Sequence, residues 1–121
     1  VSQESVNYLV VDLFKHTPYY IDMDTFAALA DPTRRSIFEY IVRGEVSVGE
    51  IVERFSFKAP TISQHLKILK EVGLVQSRAD KQKRLYTVRA DGLAEVEGWV
   101  QLQQKRMSER LDALENHLSQ Q

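Results

Sequence analysis

Two short, well-delimited helices between Ser47 and Leu74 leave little freedom for the rest of the chain. Ser47-Val48-Gly49-Glu50 has the spacing of a capping box, in which hydroxyl and carboxylate each satisfy a backbone N–H. It opens a helix through Ile51, Val52 and Phe55. Ser56-Phe57-Lys58-Ala59 makes a short connection. A second helix is predicted from about residue 59 to Val72, with Pro60 at its start and Ile62, Leu66 and Leu69 on one face. Gly73 stands where a left-handed cap is wanted, and Leu74 follows to pack back on the helix. Two helices punctuated this way form a helix-turn-helix.

The flanks extend the pattern. Asp31 can cap a helix that starts at Pro32, carries Ile37, Phe38, Tyr40 and Ile41, and ends at Gly44. Phe26, Leu29 and Ala30 mark a shorter helix before it. After the second helix, residues 74–78 and 84–88 read as strands joined by Ala79-Asp-Lys-Gln-Lys83, a hairpin with a basic tip. The usual turn glycine is missing, so a wider tip than usual is expected. Residues 91–118 read as one long helix with Leu93, Val96, Val100, Met107, Leu111, Leu114 and Leu118 recurring at helical spacing. That stripe is longer than a small domain easily covers, so part of it is expected to meet a second subunit. The plainer alternative is an amphipathic helix lying on its own core. The expected fold is mainly α with a small β-hairpin, a winged helix-turn-helix dimerising through its terminal helices.

Charge is unevenly spread. The chain of 121 residues carries a net −1. Yet residues 58–89 hold Lys58, Lys67, Lys70, Arg78, Lys81, Lys83, Arg84 and Arg89 against only Glu71 and Asp80, eight cations against two acids and a local +6. Such a block can attract phosphate on one face while the whole stays near neutral, although many charge runs are only solvated surface. There is no cysteine, which excludes disulfides, thiolate catalysis and thiolate metal sites. No apolar run approaches the roughly 20 residues of a membrane span, and a cytoplasmic location is expected. The histidines are His16, His65 and His117, with no phosphate-cradling glycine loop and no nucleophile motif, so the chain does not read as an enzyme.

Phe26-Ala-Ala-Leu-Ala-Asp-Pro-Thr-Arg-Arg35, Pro60-Thr-Ile-Ser-Gln-His-Leu-Lys-Ile-Leu-Lys70 and Gly73-Leu-Val75 together resemble the ArsR-type (arsenic-repressor) winged-helix transcriptional regulators. Gly98-Trp99-Val, Glu109-Arg-Leu-Asp-Ala-Leu114 and Gln82-Lys-Arg-Leu-Tyr86 are similar to a branch that lacks the metal-binding cysteines. The resemblance covers about residues 24 to 118. It implies a homodimer paired through its first and last helices, repressing at a palindromic operator, often its own promoter. Its interface would use Phe26, Leu29, Leu93, Val96, Trp99, Val100, Met107, Leu111, Leu114 and Leu118. Double-stranded DNA and a second copy are the expected partners, with a small-molecule inducer as a further candidate.

With Ile62, Leu66 and Leu69 buried, a helical wheel puts Gln64, Lys67 and Glu71 opposite, Thr61 and Ile68 on one shoulder, and Ser63 and Lys70 on the other. Gln64 can pair bidentately with adenine. Thr61 suits a thymine methyl or a phosphate, Ser63 a phosphate, and Lys67 guanine or phosphate. His65 lies beside the buried face, where a packed or backbone-bonded ring competes with a phosphate contact. Lys58 departs from the serine-type cap common in the family and adds a charge that reaches phosphate. Lys81, Lys83 and Arg84 are expected over phosphate or the minor groove. Arg34 and Arg35 reach either the DNA backbone or an intramolecular salt bridge.

Two other functions are weighed against repression by DNA binding. One is a winged-helix module for protein interaction. The other is a metal-responsive repressor without cysteines, for which only Asp112, Glu115 and His117 offer ligands, at a spacing that does not put three on one face. No metal or other cofactor is expected. Met23-Asp-Thr-Phe26 looks like a natural family start, so residues 1–22 read as an N-terminal extension of uncertain status and 23–121 as the domain. The extension is either an authentic segment, helical through Val6, Leu9, Val10, Leu13 and Phe14 and packed at the dimer interface, or the product of a mis-assigned start.

Overall fold

A computed structural model describes residues 8–11, 18–21 and 24–120. It contains strands β1 (Tyr8–Val11) and β2 (Pro18–Ile21), helices α1 (Thr25–Ala30) and α2 (Pro32–Val42), and strand β3 (Val46–Ser47). Helices α3 (Val48–Phe55) and α4 (Ala59–Glu71), strands β4 (Val75–Asp80) and β5 (Lys83–Val88), and helix α5 (Ala94–Ser119) follow. β1 and β2 pair antiparallel, so the helix expected through Leu9 and Val10 is replaced by a hairpin. A short apolar run is compatible with either period, and pairing decides it. Val6, Leu13 and Phe14 lie outside the described residues.

Local chemistry sets the helix boundaries. The Asp31 side chain accepts from the Arg34 N–H at 2.9 Å, and Pro32 supplies a preset first helical residue to α2. Gly44 is not left-handed; α2 ends at Arg43 in ordinary helical backbone, so Gly44 is not the cap expected of it. The capping box of α3 is complete. Glu50 N–H donates to Ser47 Oγ at 3.2 Å, and Ser47 N–H donates to Glu50 Oε1 at 2.9 Å. α4 ends in a Schellman motif: Gly73 takes φ +85°, its N–H reaches the Lys70 carbonyl, and Leu74 N–H reaches that of Leu69.

The core lies under α4. Ile62, Leu66 and Leu69 pack with Ile37, Ile41, Ile51, Leu74, Val75 and Tyr86, all buried. β5 sits between β3 and β4 in a three-stranded antiparallel sheet, tying the wing back to the start of α3. Gly92 allows the approach to α5 to lie on the α4–β4 turn. A Cβ there would meet Gly73 O at 3.0 Å, Leu74 Cα at 3.1 Å and Arg89 O at 3.2 Å, all backbone atoms. Gly92→Ala should therefore destabilise the fold by about 1–3 kcal/mol, read from a denaturant midpoint. An unchanged midpoint would show that this junction is looser than described.

The last helix stands apart from this core. α5 has 26 residues, none of them buried. Its first turns meet α1, with Phe26 and Trp99 edge to face at 5.4 Å and Thr25 Oγ1 donating to Glu95 Oε1 at 3.3 Å. Beyond that, Met107, Leu111, Leu114 and Leu118 stay exposed along one side. No helix among the described residues is long and apolar enough to cross a membrane.

Candidate nucleic-acid interface

The wheel drawn for α4 holds in three dimensions. Ile62, Leu66 and Leu69 face inward, while Thr61, Ser63, Gln64 and Lys67 are exposed. Lys58 precedes the helix without a side-chain cap, so the first N–H groups of α4 are left without a side-chain acceptor from that position. Pro60 has no N–H, and the N–H groups of Thr61 and Ile62 both donate to the Lys58 carbonyl, so the helix start offers the Lys58 charge and the Thr61 hydroxyl rather than a row of free N–H groups.

The wing is tighter than its sequence suggested. Asp80 pairs with Lys83, which leaves a two-residue turn of Lys81 and Gln82 in place of the wider tip expected without glycine. Lys81 supplies the required backbone itself at φ +59°, a conformation that costs a non-glycine residue on the order of 1 kcal/mol. Pairing along the whole of β4 and β5 holds it there. The tip presents Lys81 and Lys83, both exposed.

The basic block divides into engaged and projecting charges. Arg78 forms a two-point pair with Glu45 at 3.0 Å, which holds the Glu45 carboxyl below its usual range. Arg89 pairs with Asp91. Lys70 Nζ and Arg84 Nη1 both donate to Ser77 Oγ, at 2.9 and 3.2 Å. Two cations therefore converge on one hydroxyl: Arg84, expected from the sequence over phosphate, and Lys70, which sequence reasoning had not singled out. The seven-residue steps from Lys70 to Ser77 to Arg84 were the available signal. Lys83 is near enough to Glu50 to help hold that carboxylate ionised, after the two hydrogen bonds from Ser47.

Arg34 and Arg35 do not form the intramolecular salt bridge weighed for them; backbone carbonyls take that place. Arg34 Nε donates to the Ala28 carbonyl at 2.7 Å, and Arg35 Nη1 donates to that of Leu29 at 2.6 Å. Both cap the C-terminal end of α1, where carbonyls lack helical partners. Arg34 is buried, and its Nη1 lies 3.3 Å from His65 Nδ1. His65 is half-buried at the edge of the exposed face of α4. Burial pushes its pKa below the ordinary value; Asp31 pulls it up, and Arg34 pushes it down.

The proposed interface residues Leu29 and Val96 are half-buried, whereas Phe26, Leu93, Trp99, Val100, Met107, Leu111, Leu114 and Leu118 are exposed. Leu102, also exposed, was missed because it falls off the main stripe. Among the described residues, no three His, Asp or Glu side chains gather as a metal site would require.

Comparison with known proteins places this arrangement. A family described as a helix-turn-helix domain matches residues 29–78. The chain is 32% identical over 77 residues to the transcriptional repressor SdpR of Bacillus subtilis, covering 64% of this chain and 86% of that one. It is 43% identical over 67 residues to the HTH-type transcriptional regulator Rv2034 of Mycobacterium tuberculosis, covering 55% of this chain and 63% of the relative. An ArsR family transcriptional regulator of known crystal structure superposes with a TM-score of 0.64 at 29% identity, over 69% of this chain and 86% of that one. A homodimeric winged helix-turn-helix DNA-binding domain from Mycobacterium bovis superposes at 0.53 with 28% identity, over 64% and 72%.

Proposed function

Since the chain belongs to the ArsR-type winged helix-turn-helix transcriptional regulators, we propose that it is a sequence-specific DNA-binding repressor acting as a homodimer. The observation that carries the reading is the exposed face of α4, with Thr61, Ser63, Gln64 and Lys67, set beside the Lys81 and Lys83 wing tip. Two copies of α4 enter successive major grooves about one helical turn apart, and the wings lie on the flanking backbone. Gln64 reads a base edge. Lys58, Lys81 and Lys83 supply phosphate contacts, which give affinity and salt dependence. Ser63 and Lys67 support them, and Thr61 and Arg84 occupy the margins. The operator is a palindrome upstream of the protein's own gene, matching the two-fold symmetry of the dimer.

A mobility shift on that upstream DNA, across a salt series, tests this. Gln64→Ala should weaken specific binding about 10- to 100-fold and leave nonspecific binding unchanged, since a bidentate base contact is worth about 1–3 kcal/mol. Lys83→Ala should weaken both kinds of binding and lower the salt slope by about 0.9 for each lost phosphate contact. Absence of specific binding at low salt would overturn the repressor reading and favour a protein-interaction module.

A further inference from the structure

Arg34 is the one buried charged side chain among the described residues, and it connects two elements. Its Nε holds the Ala28 carbonyl at the end of α1, and its Nη1 meets His65 Nδ1 on α4. A guanidinium stays protonated and carries five donors and no acceptor. At the 3.3 Å contact the lone pair must therefore belong to His65 Nδ1. An imidazolium in the same place would oppose N–H to N–H and set two cations together. The neutral ring then keeps its single proton on Nε2, the nitrogen on the other side of the ring.

We infer that Arg34 is a positioning residue for DNA recognition: it fixes His65 in the neutral, Nε2-protonated state and leaves that N–H as a donor to the DNA backbone. The inference rests on the repressor reading and adds to it what sets the state and orientation of the ring. The location agrees, because His65 is half-buried one turn after exposed Thr61, on the same side of α4, and directly follows exposed Gln64. The charged groups acting on the ring are Arg34 in α2, which opposes its protonation, and Asp31 at the cap of α2, which favours it. Burial is the largest influence and acts with Arg34 against Asp31, so protonation of the ring is disfavoured. The pKa of His65 in the folded state is thus lower than its unfolded value of about 6.5, so the unfolded chain binds more protons as the medium is acidified. The stability contributed by the neutral ring is complete above about pH 6.5 and is lost as pH falls through and below that value.

The test uses the full chain with labelled imidazole nitrogens and needs no DNA for its first part. NMR should show His65 with Nδ1 unprotonated, Nε2 protonated, and titration below the ordinary histidine value. Arg34→Met should move that titration upward. A ring protonated on Nδ1, or one titrating normally beside Arg34, would overturn the proposal. Because Arg34→Met also uncaps α1, two variants of the ring separate the roles. His65→Asn keeps an acceptor near the Nδ1 position and should retain stability, while losing on the order of tenfold in affinity for the upstream DNA. His65→Gln keeps a donor near the Nε2 position and should retain most of the affinity, while losing stability because Arg34 has no acceptor. The opposite pattern would overturn the proposal. Lack of specific binding by the unaltered protein would instead remove the repressor reading and the recognition role together, with the tautomer still reporting on Arg34 by itself.

Discussion

Leu114→Arg should turn the homodimer into a folded monomer and abolish tight binding to a two-half-site operator. α5 is 26 residues long, about 39 Å at 1.5 Å per residue, and only its first turns touch α1. Past them, Met107, Leu111, Leu114 and Leu118 recur along one side, with exposures of 64%, 64%, 53% and 59%. An apolar stripe of that length on a small domain marks a docking surface, and symmetry makes each residue count twice in a two-fold interface. Burying a leucine contributes about 1.5–3 kcal/mol, so losing two and placing two guanidiniums at the seam should weaken dimerisation at least about 10³-fold. The domain itself should survive, because no residue of α5 belongs to the buried core. Sedimentation across a concentration series reads the first effect. The emission of Trp99, the sole tryptophan, reads the α1–α5 contact and should change little. A variant that sediments as a dimer at micromolar concentration would place the interface elsewhere.

What could be read in advance follows from how local the deciding interaction is. The starts of α2 and α3 and the end of α4 were legible because their signals complete themselves within three to five residues: Asp31 to Arg34, Ser47 to Glu50, Leu69 to Leu74. The buried and exposed faces of α4 followed from periodicity alone. The wing tip was misjudged because its width is set by pairing along all of β4 and β5, which outweighs the reluctance of Lys81 to take positive φ. The salt bridge weighed for Arg34 and Arg35 was misjudged for a related reason. Their partners are carbonyls six residues back, presented only because α1 folds against α2, and carbonyls carry no sequence label. The +6 of residues 58–89 was legible as a sum but not as a partition, since the partner of Arg78 lies 33 residues away at Glu45.

The second large effect distinguishes framework from reading face within three consecutive residues. Leu66 is fully buried among Ile37, Ile41, Ile62 and Leu69, whereas Gln64 is exposed on the same helix. Leu66→Ala should cost about 2–5 kcal/mol, because the removed methyl groups leave a cavity that surrounding helices only partly close. For a domain of this size that corresponds to a fall in Tm on the order of 10–20 °C, compared at equal protein concentration because dimerisation contributes to apparent stability. Well below its new Tm, however, Leu66→Ala should bind the upstream DNA nearly as the parent does, since no group on the polar face has changed. Gln64→Ala should show the reverse, with an unaltered Tm and weakened specific binding. Leu66→Ala with parental stability would mean that this face of α4 does not lie against the core. A variant that stays folded yet loses binding as completely as Gln64→Ala would show that reading depends on the packing beneath the helix as much as on the residues that face outward. His65, between the two and held by Arg34, would be the first residue to carry such an effect.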